Sequence, residues 1–206
     1  WWYGQRQRER LDPVILGPLP DLRAYLDNRS RRFLLFDITT DLTVPVVAAA
    51  SFEPDGTVVA LGFAAKSSLT EAARAATVEM LATETSLPPW CEIGDDAAAK
   101  SWVDRLCAFK LPVFSDAAPA VSHFARNETS WTLDACIEVL HSRGCRVLFV
   151  DLSRGDSSAP VFRALSPELC HIKPRFGKAR LQASDARDLT QVNGEAERSG
   201  LWPILF

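Results

Sequence analysis

The sequence predicts an α+β fold of repeated helix-strand-strand units, with antiparallel hairpins covered by helices on one face and the copies related by pseudo-symmetry. Three observations predict it. Residues 32–47, RFLLFDITTDLTVPVV, resemble residues 146–162, RVLFVDLSRGDSSAPVF, with one extra residue before the proline of the second copy. Each copy is an apolar strand-type run, an Asp with a polar turn, and a Pro-Val that opens another strand. Each also follows a helical pattern, LPDLRAYLDNRS in the first and WTLDACIEVLHSRG in the second.

Taken in order, the first helix spans 19–30 and leads into the first repeat. EPDG at 53–56 is a turn that pairs VPVVAAASFE with GTVVALGFAA as a hairpin. The alanine-rich KSSLTEAARAATVEMLATE, 66–84, is a helix opened by a capping box, with Ser68 as N-cap and Glu71 reaching back from the third position. That reading ends at residue 84, before SLPPW. Residues 95–110, DDAAAKSWVDRLCAFK, read as a further helix, and LPVFSDAAPA as a mobile, turn-rich connection. The helix before the second repeat ends on His141, Ser142, Arg143 and Gly144, basic residues in the last turn followed by a glycine stop. Residues 165–206 form a tail segment, with a basic stretch KPRFGKAR, a short strand near Arg180 and Leu181, and an apolar end LWPILF.

Composition narrows the function. Lys plus Arg number 23 against 26 Asp plus Glu, and a net charge of −3 supplies no basic footprint for nucleic acid or an anionic membrane. No run is apolar over the ~18 residues a membrane helix needs. The five cysteines stand apart, without CxxC or finger spacing, as isolated thiols do in a reducing cytoplasm. The only methionine is Met80, and the chain opens on WWYGQRQRER. That start predicts an element whose first half lies upstream, and a chain that is poorly soluble or oligomeric by itself.

No GxSxG, HExxH, GxxxxGK[ST] or GxGxxG is present, and His123, His141 and His171 lie in separate segments without metal spacing. Carboxylates remain. Glu79 follows Ala76 by three and Ala72 by seven, so it shares a helix side with small residues that let a ligand or another backbone approach. A carboxylate there suits Mg²⁺, a hard cation that bridges oxygen ligands to phosphate. On spacing alone, a solvated glutamate on an alanine-rich helix is the stronger reading. Glu84 is weaker still as a ligand. Asp37 and Asp151 recur at equivalent strand ends, where an Asx cap that closes the turn outweighs catalysis. Arg163, Lys173, Arg175 and Arg180 together would make an anion site, and singly they read as surface charge.

In order, DITTDLTVPVVAA, GFAAKSSLTEAARAATVEML, VLFVDLSRGDSSAPVFRALSPEL and KPRFGKARL resemble the C-terminal half of the YcaO family. The similarity is to the cyclodehydratases that form thiazoles and oxazoles in ribosomally made peptides. WWYGQRQRERLDP resembles the segment that follows the family's glutamate-rich helix with its ER pair. The resemblance implies that residues 1–206 are a partial domain whose cofactors are ATP and Mg²⁺. Its substrate would be a precursor peptide, and a companion protein or segment would supply the N-terminal half of the nucleotide site. It gives Glu79, in ATVEMLA, the place of a glutamate that holds Mg²⁺ and nucleotide, and Arg163 the place of an arginine in a Pro-Val-x-Arg stretch. Ala82 stands where the family usually has glutamine, Ser166-Pro167-Glu168-Leu169 where it tends to have Pro-Gly-Leu, and WPILF keeps one proline of a proline-rich tail. These departures open a second expectation, a non-catalytic scaffold that binds the precursor peptide or a partner enzyme.

Overall fold

The computed structural model describes residues 8–93, 102, 106–114, 120–121, 131–156 and 158–169. Two compact units emerge, Trp1–Trp131 with Leu205–Phe206, and Thr132–Ile204. The readings at Trp1, Trp2, His123, His171, Lys173, Arg175, Arg180 and WPILF lie outside the described residues.

In the first unit a five-stranded sheet runs in the order β4-β3-β2-β1-β5. It comprises β1 (Glu9–Leu11), β2 (Arg32–Asp37), β3 (Val46–Phe52), β4 (Ala60–Ala65) and β5 (Ala120–Val121). The pairs β1-β2, β2-β3 and β3-β4 are antiparallel, and β5 runs parallel to β1. Helix α1 (Pro20–Asn28) precedes β2 where the sequence places it. The turn at EPDG forms as expected: Gly56 adopts φ +87° and donates its N–H to the Glu53 carbonyl at 2.8 Å. Strand β4 begins later than the sequence suggests, because Val58 takes φ +51°, a left-handed value that interrupts an extended run. Two contacts hold that kink, Arg31 Nη2 to the Val58 carbonyl at 2.6 Å and Trp102 Nε1 to the Val59 carbonyl at 2.7 Å.

Helix α2 spans Leu69–Ile93. Ser68 caps it, its Oγ accepting the Glu71 N–H at 3.2 Å. The box does not close as expected, since the Glu71 carboxylate takes the Ser67 hydroxyl in place of the Ser68 amide. The helix also runs past SLPPW, before which the sequence predicts its end. Packing of its apolar face, with Met80 and Leu87 fully buried, outweighs the ladder bonds that Pro88 and Pro89 cannot donate.

Both faces of this sheet are covered, not one. On one lies α2; on the other, short 3₁₀ turns at Ala108–Lys110 and Pro112–Phe114 bring aromatic side chains against β2 and β3. Phe114 meets Phe36 and Phe52 at ring-centroid distances of 6.1 and 5.7 Å, and Phe109 meets Phe52 at 5.8 Å. The described end of the 95–110 segment is thus 3₁₀, and part of the supposed mobile connection is 3₁₀ turn and strand. Burial on both faces explains why β2 reads as a continuous apolar run and not as an alternation.

The second unit contains α3 (Leu133–Ser142), β6 (Leu148–Asp151) and β7 (Phe162–Leu165), the two strands forming an antiparallel hairpin. Thr132 Oγ1 caps α3 by accepting the Ala135 N–H at 3.2 Å. Its end is a Schellman arrangement: Gly144, at φ +72°, donates to the His141 carbonyl, and Cys145 donates to that of Leu140. Among the described residues, no helix is long and apolar enough to cross a membrane.

Candidate functional site

The small-residue side of α2 has a physical cause. Ala72, Ala73 and Ala76 are fully buried, and a Cβ added at Gly62 of β4 would lie 2.2 Å from both the Ala76 carbonyl oxygen and the Met80 amide nitrogen. Helix backbone and strand backbone therefore touch, and the alanines serve this close approach; the room they leave is filled by the sheet and not by a ligand.

Glu79 borders that contact and is half-buried. Its Oε2 accepts the N–H of Phe63 at 3.1 Å. Strand β4 is an outer strand of the described sheet, and its ladder with β3 turns the Phe63 amide away from β3, so the carboxylate covers a donor that would otherwise lie open. Among the described residues this is the one hydrogen bond to the Glu79 carboxylate, which leaves Oε1 free to meet a cation. An anchored carboxylate with one unengaged oxygen fits a single position in the oxygen shell of Mg²⁺. A complete site needs more: among the described residues, no group of three or more His, Cys, Asp and Glu side chains is placed to hold a metal. Ala82 is exposed, and its carbonyl accepts the hydroxyls of Thr85 and Ser86 at 2.9 and 2.8 Å.

Arg163 lies on β7 opposite Val150 and is exposed, in a different compact unit from Glu79. In SPEL, Glu168 clamps Arg146, accepting its backbone N–H at 3.0 Å and its Nε at 2.7 Å. Those bonds, with the Arg146 side chain contributing first, hold the Glu168 carboxyl below its ordinary range. A carboxylate takes the loop position where glycine was expected, and it pins the start of β6.

The recurring aspartates close their turns. Asp37 Oδ1 accepts the Thr39 N–H at 2.9 Å, and Asp151 Oδ1 accepts that of Ser153 at 2.8 Å. Thr39 Oγ1 and Ser153 Oγ then take the Val46 and Val161 amides at 3.1 and 3.0 Å. In the first unit this turn also lines a polar cleft of about 380 Å³, together with Arg8, Glu9, Thr40 and Thr43. Glu9 and Asp37 face each other across β1 and β2, and the Arg8 Nε is buried without a hydrogen-bond partner among the described residues. The cleft offers donors and acceptors to a polar group.

Glu84, the carboxylate that spacing ranked below Glu79, is the more deeply embedded. It accepts Arg29 Nη1 at 2.9 and 2.8 Å through its two oxygens and the Ser51 hydroxyl at 2.6 Å, and it lies 3.2 Å from Arg31 Nε. Arg31 continues to Glu53 and to Ser51 Oγ. Sequence reading missed this network. The signal was available in NRSRR, three arginines abutting an apolar strand, where at least one must turn inward.

Comparison with known proteins follows from this geometry. A family model described as YcaO cyclodehydratase, ATP- and Mg²⁺-binding, matches residues 1–170. Among solved structures, the chain is similar to a heterocyclase in complex with substrate and cofactor, with TM-score 0.75 and 22% identity over 89% of this chain and 26% of that one. It is also similar to the heterocyclase TruD, with TM-score 0.61 and 19% identity over 86% of this chain and 25% of that one. The chain thus spans about a quarter of the length of these heterocyclases. At such identities the likeness concerns the fold. Among curated proteins, none is significantly similar.

Proposed function

The chain belongs to the YcaO family, and on that premise we propose that it is part of an ATP-dependent cyclodehydratase that activates backbone amides of a precursor peptide. A companion protein, or a further segment of the same polypeptide, completes the domain. In the proposed reaction a Cys, Ser or Thr side chain of the peptide attacks the preceding carbonyl carbon. The amide oxygen is a poor leaving group; once it carries the γ-phosphoryl group of ATP, with ADP released, it departs as phosphate, the side-chain proton and the amide N–H proton are lost, and an azoline remains. Mg²⁺, which Glu79 would help to hold, would supply charge neutralisation for the γ-phosphoryl group.

This chain's residues do the positioning. Glu79 holds its carboxylate in one orientation because Oε2 is tied to the Phe63 amide, and that anchorage is the observation that carries the reading. A ligand whose orientation is preset loses less freedom on binding. Arg163, exposed on β7, offers guanidinium donors to phosphate oxygens. The exposed alanine at 82 favours a second reading, a degenerate domain that binds the precursor peptide or a partner enzyme without nucleotide.

Calorimetric titration of Mg-ATP into the chain, with and without the companion, tests this, and Glu79→Gln is the control. Glutamine keeps an oxygen for the Phe63 N–H, so the variant retains its melting midpoint while nucleotide affinity falls by about tenfold or more. Absence of binding in every combination overturns the catalytic reading and leaves the scaffold.

A further inference from the structure

The hairpin β6-β7 is built like β2-β3 but lies uncovered. Arg32 to Asp37 and Arg146 to Asp151 are both apolar at every position between the arginine and the aspartate, the pattern of a strand buried on two faces. Both are followed by the same pair of turn hydrogen bonds. Their burial is opposite: Leu34, Leu35 and Phe36 are 8, 1 and 1% exposed, whereas Leu148, Phe149 and Val150 are 49, 52 and 39% exposed. Across the second hairpin, Leu148, Val150 and Leu165 share one face, Phe149 and Phe162 the other, and both faces are open. Among the described residues of this unit, Cys145 is the one buried hydrophobic side chain, and no residue of α3 is buried.

What covers the first hairpin indicates what the second lacks. Strand β4 pairs along β3, and the small-residue side of α2 lies on one face of the strands. On β7, the ladder bond from Leu152 N–H to the Val161 carbonyl turns the Phe162 and Ala164 amides to the outer edge. We infer that β6-β7 docks a strand-then-helix segment, the strand pairing along β7 and the helix laying a small-residue side on the exposed apolar face. The occupant is polypeptide of the same family domain outside this chain, a source consistent with the chain spanning about a quarter of the heterocyclases it resembles. This rests on the proposal that a companion or further segment completes the domain, and it names the surface that receives it.

Hydrogen exchange and hydroxyl-radical footprinting, both without nucleotide, test it on the chain alone and with the companion used for the Mg-ATP titration. The expected result is that the Phe162 and Ala164 amides and the Phe149 and Phe162 rings are labelled in the chain alone, and protected about tenfold or more when the companion is added. Phe162→Asp abolishes companion binding and leaves the melting midpoint unchanged, because its ring is 61% exposed. Protection already present in the dilute chain overturns the inference, since the chain would then cover its own hairpin. Protection that rises with chain concentration overturns it in favour of a second copy. A companion that restores nucleotide binding while the hairpin stays labelled overturns it without touching the proposed function.

Discussion

Gly62 and Glu84 show how single positions set the architecture of the first unit. At Gly62, any side chain meets the backbone of Ala76 and Met80 at 2.2 Å, and backbone cannot swing aside as a side-chain tip can. Gly62→Ala is therefore expected to destabilise by about 2–4 kcal/mol, read by urea denaturation; a change under about 1 kcal/mol would show that α2 slides freely on β4. Glu84 neutralises two arginines whose side chains are 10 and 11% exposed. Glu84→Ala leaves the Arg29 charge buried without its carboxylate, while Arg31 keeps Glu53, and is expected to cost about 3–5 kcal/mol, whereas the double replacement Arg29→Met with Glu84→Leu recovers most of that. Equal losses in the single and double variants would contradict this. Spacing and charge named Glu79 and Arg163 as candidates, and only the family resemblance set them above the bland reading, because helix spacing alone does not separate a ligand from a solvated carboxylate. The Phe63 amide that Glu79 meets lies sixteen residues away, beyond any local periodicity.

Elements follow their local chemistry until packing competes. The turn between β3 and β4 is a local matter: Asp55 accepts the Thr57 hydroxyl at 2.7 Å and its amide at 2.9 Å. These bonds, the hydroxyl first, hold the Asp55 carboxyl below the ordinary aspartate range. A lowered folded value means that the turn's stabilisation is fully present above the unfolded aspartate value, about pH 4, and is lost as pH falls through the lowered one. In an NMR titration, Asp55 should titrate below the ordinary aspartate value, and Thr57→Val, which removes the hydroxyl and keeps the amide, should bring it part of the way back; a midpoint at the ordinary value would refute the assignment. The cap at Ser68 and the glycine stop at Gly144 were readable in sequence for the same reason, since each involves atoms within a few residues. The end of α2 was not, because a local reading cannot weigh the apolar surface, Met80 and Leu87 included, that the helix buries.

At the scale of the whole molecule, burial is unevenly divided. Nearly all the buried side chains among the described residues belong to the first unit, with Phe36 1% exposed in its core, while Phe149 on β6 is half exposed. Phe36→Ala should cost about 3–5 kcal/mol and Phe149→Ala about 0.5 kcal/mol or less in the chain alone. Matching losses, measured by thermal denaturation, would mean that the second hairpin is packed after all.

By itself the sequence determined the α+β class, the hairpins, the helix caps and the aspartate turns, since these depend on periodicity and on hydrogen bonds between near neighbours. It also determined the YcaO membership, through motifs in a fixed order. Tertiary structure alone decided that the alanines of α2 serve contact with Gly62, that Glu84 and not Glu79 is the embedded carboxylate, and that a second layer covers the first sheet. It alone distinguished the covered hairpin from the open one, although the two share a pattern. A pattern states which surface must leave water, and only the fold states whether anything has covered it.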